Sequence, residues 1–251
     1  MSHVFAQTVF LHRRMRGLFG VLALTLVAAC ANGEFGPATP SMVSEGERLG
    51  ELQAKIRRNP NDTKALNEFG DLQAANGQWN QAMGAYREAI LIAPTNRDAR
   101  LGLGEAQLAL GDFNAALATA TQLGSTDVRT RQLRAGALTG LNRLPEARAL
   151  LEQTSRQEPR NLDVRSNLAL VLGLSRDPTS YGVARATAFA PDADYTHVRN
   201  LILVGGLMGY EREAKTDGGT LGLQPDEVND ILKLGRRARS EGMRAFGIIT
   251  Q

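Results

Sequence analysis

The chain has 251 residues, with 29 Lys and Arg against 26 Asp and Glu. Arg13, Arg14 and Arg16 carry the whole excess of positive charge, and from Cys30 onward the two signs balance, so the basic pI gives no ground for nucleic acid as a ligand. Cys30 is the only cysteine and His197 the only histidine beyond it, which excludes a Cys-His pair or a zinc cluster from that part of the chain.

Residues 1–29 read as a secretory signal. Three arginines precede the apolar run LFGVLALTLVAA, Leu18 to Ala29; its twelve residues are too few to span a bilayer, which takes about 20. A basic stretch, a short apolar core and small residues before a cleavage point form the signal pattern. MRGLFGVLALTLVAAC is also a complete signal, so Met1 and Met15 both stand as starts. Val27-Ala28-Ala29-Cys30 resembles the lipobox of bacterial lipoproteins, which implies that the Cys30 thiol is acylated (palmitate being one such chain) and becomes the mature N-terminus. The bland alternative is an incidental apolar residue ending an uncleaved anchor, but a lone cysteine at this point, with no disulfide partner, favours lipidation. Several acyl chains anchor stably where one is marginal. Ala31 follows where Asp is absent, which by likeness to enteric lipoproteins implies the outer membrane, facing the periplasm; the inner membrane stays open.

Residues 30–44, from Cys30 through ANGEFGPATPSMVS, read as the lipidated cysteine and a flexible tether, rich in Gly, Pro and small polar residues. A helix from Glu45 to Arg58 follows, with Leu49, Leu52 and Ile56 on one face, and is expected to cap the open end of what comes next.

The stretch from Lys64 to Pro94 holds Gly70, Ala82, Tyr86, Ala89 and Pro94, with Gly77 between two apolar helical patterns. Small residues at Gly70 and Ala82 let two antiparallel helices approach, and Phe69, Leu72, Tyr86 and Ile90 fill their seam. A hairpin of this size cannot bury its own apolar face and needs copies of itself alongside. Copies are present. Gly104, Gly111, Phe113 and Ala116 follow Gly70, Gly77, Trp79 and Ala82 by 34 residues. Asn142, Leu144, Ala147, Leu151 and Pro159 mark a third unit, after a shortening by three residues around Gly124 to Asp127. A fourth begins at Asn161, where PRNLDVR repeats the form of PTNRDAR.

The 34-residue period and these residues resemble the tetratricopeptide repeat (TPR) proteins over about Asn59 to Ala190. The chain departs from that family in carrying its only tryptophan, Trp79, at the head of a second helix. The resemblance implies an all-α superhelix of about four to five hairpins over residues 45–190, with an N-terminal capping helix and C-terminal helices over 191–251. It also implies a concave groove lined by the first helix of each repeat. Carried over by position, the groove residues are Lys64, Asn67, Asp71 and Ala74; Asp98, Leu101, Glu105 and Leu108; Arg129, Gln132, Gly136 and Thr139; and Asp163, Ser166 and Leu170. Acidic groups and leucines in its first half suit an extended peptide or helix with some basic character. For any one of these residues the alternative is ordinary surface. The Lys/Asn/Arg clamp of chaperone-binding TPR domains is not reproduced, since Asp71 stands where an asparagine is needed.

Beyond residue 190 the pattern loosens. Val198-Arg199 lies 34 residues after Val164-Arg165, which suggests a fifth first helix. Gly205-Gly206 lacks the spacing of a nucleotide loop and reads as tight helix packing. Thr216 to Thr220 reads as a glycine-rich break, and Pro225-Asp226-Glu227 as a helix start. Lys233, Arg236, Arg237, Arg239 and Arg244 gather on this last element, as a solvated face or as a contact for an acidic partner or lipid headgroups. His197 reads as a capping or core residue. Asp71 and Glu105 could pair on neighbouring helices, but no catalytic set, metal site or cofactor is expected, nor a small-molecule substrate.

Lipobox, tether and repeats together resemble the TPR lipoproteins of the tight-adherence (Tad, or Flp) pilus assembly systems. Arg165 to Leu174, RSNLALVLGL, is similar to that family's R-x-N-L-A-L-V-x-G-L segment. The resemblance implies a non-enzymatic scaffold whose partner is an outer-membrane secretin or another pilus assembly component. A general scaffold for outer-membrane or peptidoglycan machinery is the alternative, and an envelope hydrolase a remoter one.

Overall fold

Recurring caps set the frame. Asp62, Asn96, Asp127, Asn161 and Asp194 each accept a hydrogen bond from a first-turn backbone N–H, at 3.0 Å from Ala65, 3.1 Å from Ala99, 2.8 Å from Thr130, 2.9 Å from Val164 and 2.8 Å from Thr196. Such caps satisfy donors that a helix start leaves bare. Their recurrence at intervals of 34, 31, 34 and 33 residues starts five helices in step.

The computed structural model describes residues 45–124 and 127–246, and among them every regular element is helical. The helix α1 (Glu45–Arg58) precedes five hairpins. These pair α2 (Thr63–Ala75) with α3 (Trp79–Ile92), α4 (Arg97–Ala109) with α5 (Phe113–Leu123), and α6 (Val128–Gly140) with α7 (Leu144–Gln157). The last two pair α8 (Leu162–Leu174) with α9 (Ser180–Ala188) and α10 (Tyr195–Met208) with α11 (Glu211–Thr220). Then come α12 (Pro225–Glu241) and a 3-10 turn (Gly242–Phe246). Each helix packs on its successor, and the first helices also pack on one another, α2 on α4 through to α10 on α12. That is the stacking of a TPR-like superhelix. The expected signal, Cys30 and the tether lie outside the described residues.

The turns repeat as well as the caps. Gly77, Gly111, Asn142, Arg176 and Gly209 take φ of 70°, 81°, 57°, 60° and 84° at the same place in successive hairpins. Glycine and asparagine suit that left-handed turn. Arg176 does not, and it is tied down where its guanidinium donates to the Arg239 carbonyl.

Three expectations meet the structure directly. The helix α1 buries Leu52 against α2, with Leu49 and Ile56 half-buried beside it. Gly205-Gly206 does mark tight packing: a Cβ on Gly205 would lie 2.5 Å from Ala214 Cβ, and one on Gly206 2.7 Å from the Leu232 carbonyl oxygen. The break expected at Thr216–Thr220 is absent, because α11 runs through it to Thr220. There Gly218 fits where a Cβ would come within 2.9 Å of Val228 and 3.0 Å of Ile202. Its neighbour Asp217 is buried and accepts hydrogen bonds from Tyr181 Oη at 2.9 Å and Arg185 Nε at 2.8 Å. Those contacts outweigh the poor helix propensity of two glycines.

Candidate protein-binding face

The expected groove residues divide into two sets. Lys64, Asp71, Asp98 and Arg129 are exposed, and Asn67, Ala74, Glu105 and Asp163 are half-buried. Leu101 (5% exposed), Leu108 (1%), Gln132 (3%) and Ser166 (2%) are buried, as are Gly136, Thr139 and Leu170. The expectation that every one lines an open groove is therefore corrected.

Close approach of the first helices is the reason. A Cβ on Gly136 would sit 2.8 Å from Leu108 Cδ2, so Leu108 fills the space above that glycine. A Cβ on Gly104 would lie 2.4 Å from Leu133 Cδ2. Further along, Ser166 Oγ accepts from Asn200 Nδ2 at 2.9 Å inside the α8–α10 seam. A Cβ on Gly173 would lie 3.4 Å from Leu207 Cδ1. The inner face is open over α2, α4 and the start of α6, and filled by its own side chains beyond.

Within the open part, four side chains form one system. The Tyr86 ring, on α3, passes between α2 and α4 at two glycines: a Cβ on Gly70 would lie 2.6 Å from Tyr86 Cε1, and one on Gly102 2.5 Å from Tyr86 Cζ. Tyr86 Oη donates to Asp71 Oδ1 at 2.7 Å. Burial, then the Asp71 charge, pushes the phenol above its ordinary value, so it stays a donor. Arg129 Nη2 donates to both oxygens of Glu105, at 2.8 and 3.1 Å. Burial pushes the Glu105 carboxyl up to about 7; Arg129 pulls it down and Asp71 adds to the rise. The guanidinium thus sits on Glu105, the phenol on Asp71, and the Asp71 carboxylate faces solvent.

Two polar clips hold this face in shape. Asn67 and Asn96 exchange amide hydrogen bonds of 3.3 and 3.4 Å between α2 and the cap of α4. Arg97 reaches from the start of α4 to the Leu123 carbonyl at 2.9 Å and Thr130 Oγ1 at 3.0 Å, and also pairs with Asp127. Sequence reasoning placed Tyr86 only in the seam and missed Arg97. The signal for Tyr86 was the pair of glycines, Gly70 and Gly102, flanking it; for Arg97 there was none beyond a charge at a helix start.

His197 is a cap and core residue, as its place at the head of an apolar helix suggested. Of the basic group on α12 and the 3-10 turn after it, Arg236 pairs with Glu211 at 2.8 Å and Arg237 with Glu241 at 3.1 Å, while Lys233 and Arg244 are exposed. Among the described residues no cluster of His, Cys, Asp or Glu could hold a metal ion, and no helix is long and apolar enough to cross a membrane.

Comparison with known proteins agrees with the architecture. Residues 73–136 match the family model for the tetratricopeptide repeat. Cellulose synthase operon protein C of Escherichia coli O157:H7 is 32% identical over 89 residues, which make up 36% of this chain and 8% of that protein. The protein of the same name from strain K12 is 30% identical over 89 residues, again 8% of its length. The match thus spans less than a tenth of these relatives. Among solved structures, a tetratricopeptide repeat protein from Parabacteroides merdae aligns with a TM-score of 0.62 at 14% identity, over 76% of this chain and 78% of that one. A thermophilic TPR protein from Thermus thermophilus aligns with a TM-score of 0.61 at 19% identity, over 70% of this chain and 98% of that one. Likeness at such identity is one of fold.

Proposed function

We propose that this tetratricopeptide-repeat protein is a membrane-tethered, non-enzymatic scaffold that holds a protein partner on the open half of its inner face. Acylated Cys30 is the tether, on the periplasmic side of the outer membrane, and the task served is assembly or localisation of the tight-adherence pilus machinery.

The observation that carries the binding reading is the charge on the open face. Asp71 and Asp98 are exposed, and Glu105 lies beside them, paired with Arg129 at 2.8 Å. An extended segment bearing lysine or arginine complements such a surface in charge. The lipobox pattern around Cys30 supports the anchor, and the RSNLALVLGL segment supports the pilus context.

A photo-crosslinking residue in place of Asp98, in cells that make the full chain, tests this. A dominant protein adduct that disappears in the Asp71→Asn, Glu105→Gln double variant is the expected result. The same adduct from a crosslinker at Glu88, an exposed site on a second helix, would overturn it. A second reading rests on the identity to cellulose synthase operon protein C: the partner then belongs to a cellulose-synthesis assembly. Identification of the adduct separates the two.

A further inference from the structure

The seam between the fourth and fifth repeats buries a polar pair of side chains, His197 and Asn200, beside its apolar contacts. His197, in the first turn of α10, is 5% exposed and is the only histidine among the described residues. Its Nδ1 lies 3.0 Å from the Asp194 backbone N–H, which donates to it, and 2.7 Å from Asp194 Oδ1. Its Nε2, otherwise without a hydrogen-bond partner, stands 3.1 Å from Asp163 Oδ1 on α8. One turn further, Asn200 donates to Ser166 across the same seam, and its own Oδ1 is buried without a partner.

We propose that the charge on His197 governs how firmly the last hairpin and α12 dock on the fourth repeat, so that α10 to α12 form a pH-responsive unit. A charged imidazolium gives up the bond it accepts from the Asp194 N–H and instead directs an N–H at a carboxylate on each side, Asp163 on α8 and Asp194 in the turn before α10. Neutral imidazole, with its proton on Nε2, keeps the cap to Asp194 and can still donate to Asp163, but it no longer sets a positive charge against that carboxylate.

Other charged groups near α10 are engaged elsewhere. Arg185 of α9 and Asp217 of α11 pair with each other at 2.8 Å. Glu227 of α12 pairs with Arg199 at 2.6 Å and accepts from Tyr195. Asp163 and Asp194 are therefore the carboxylates that face the imidazole. Burial lowers the affinity of His197 for its proton, but these two carboxylates more than offset that, and its pKa lies above the ordinary value of 6.5. The sign follows: the stabilisation is complete below the pH at which an unfolded histidine titrates and is lost as pH rises through the higher folded value.

Hydrogen exchange on the intact protein between pH 6 and 8.5, corrected for intrinsic rates, tests the proposal. Protection in α10–α12 is expected to fall severalfold relative to α2–α5, and the fall is expected to follow the titration of His197 seen by NMR, assigned by its loss in His197→Gln. His197→Gln is expected to show the high-pH level of protection throughout. Should that variant fail to fold, Asp163→Asn is expected to lower the histidine's pKa and move the midpoint of the protection change with it. Equal protection of both halves at every pH, or a change that ignores the titration of His197, would overturn the proposal.

Discussion

Gly206 on α10 and Gly235 on α12 face each other so closely that a Cβ built on the first would lie 2.9 Å from the Cα of the second, and one on the second 2.8 Å from the Cα of the first. Backbone meets backbone here, with no flexible side chain to yield. Alanine at either site is expected to push the two helices apart and destabilise the protein by about 1–3 kcal/mol or more. Gly84 makes the control, since it is exposed in the interior of α3 with nothing within 4 Å of an added Cβ. Gly84→Ala is expected to stabilise by about 0.5–1 kcal/mol through helix propensity. Urea denaturation of the three variants measures both signs.

Tyr86 has no free side toward which to move. Gly102→Ala would drive a methyl into a ring already lodged against Gly70, and the expected cost is about 1–3 kcal/mol. Tyr86→Phe keeps the ring and removes only the hydrogen bond to Asp71, so a loss of about 0.5–1.5 kcal/mol is expected. A larger loss in Tyr86→Phe than in Gly102→Ala would show that the hydroxyl matters more than the fit.

Stability is expected to depend on pH through Glu105. Its folded pKa of about 7 stands above the model-compound value of 4.5. A native state that keeps a proton the unfolded chain has released is favoured by acid, so stability falls as pH climbs from about 4.5 to 7. Glu105→Gln is expected to flatten that slope and to gain on the wild type by about 1–3 kcal/mol at pH 8. Denaturation curves at pH 5 and pH 8 for both proteins check it, and parallel slopes would refute the assignment to this group.

Membrane attachment has its own test. Cys30→Ser is expected to move the protein from the membrane to the soluble fraction of the envelope without changing its helicity. Unchanged fractionation would remove the lipid anchor from the proposed function.

Much of the fold was legible because its periodic residues answer backbone demands that any repeat must meet. Asp62, Asn96 and Asn161 begin helices, Gly77 and Gly111 reverse the chain, and Ala82 and Ala116 are wholly buried at equivalent places. The groove was legible only in part. Spacing tells which face of α4 holds Leu101 and Leu108, but whether that face sees solvent depends on how near α6 comes, and Gly136 brings it close. Gly218 misled for a related reason. Read locally it breaks a helix, whereas Val228 and Ile202, distant in sequence, make its missing side chain a requirement.

The inner face is open at the end of the superhelix that begins with α1, next to residue 45, and shut at the far end. Fourteen residues separate Cys30 from that helix, and fully stretched they reach about 50 Å. If Cys30 is embedded in lipid, that reach sets how far the start of α1 can stand from the bilayer, and α2 with its open face follows one helix later.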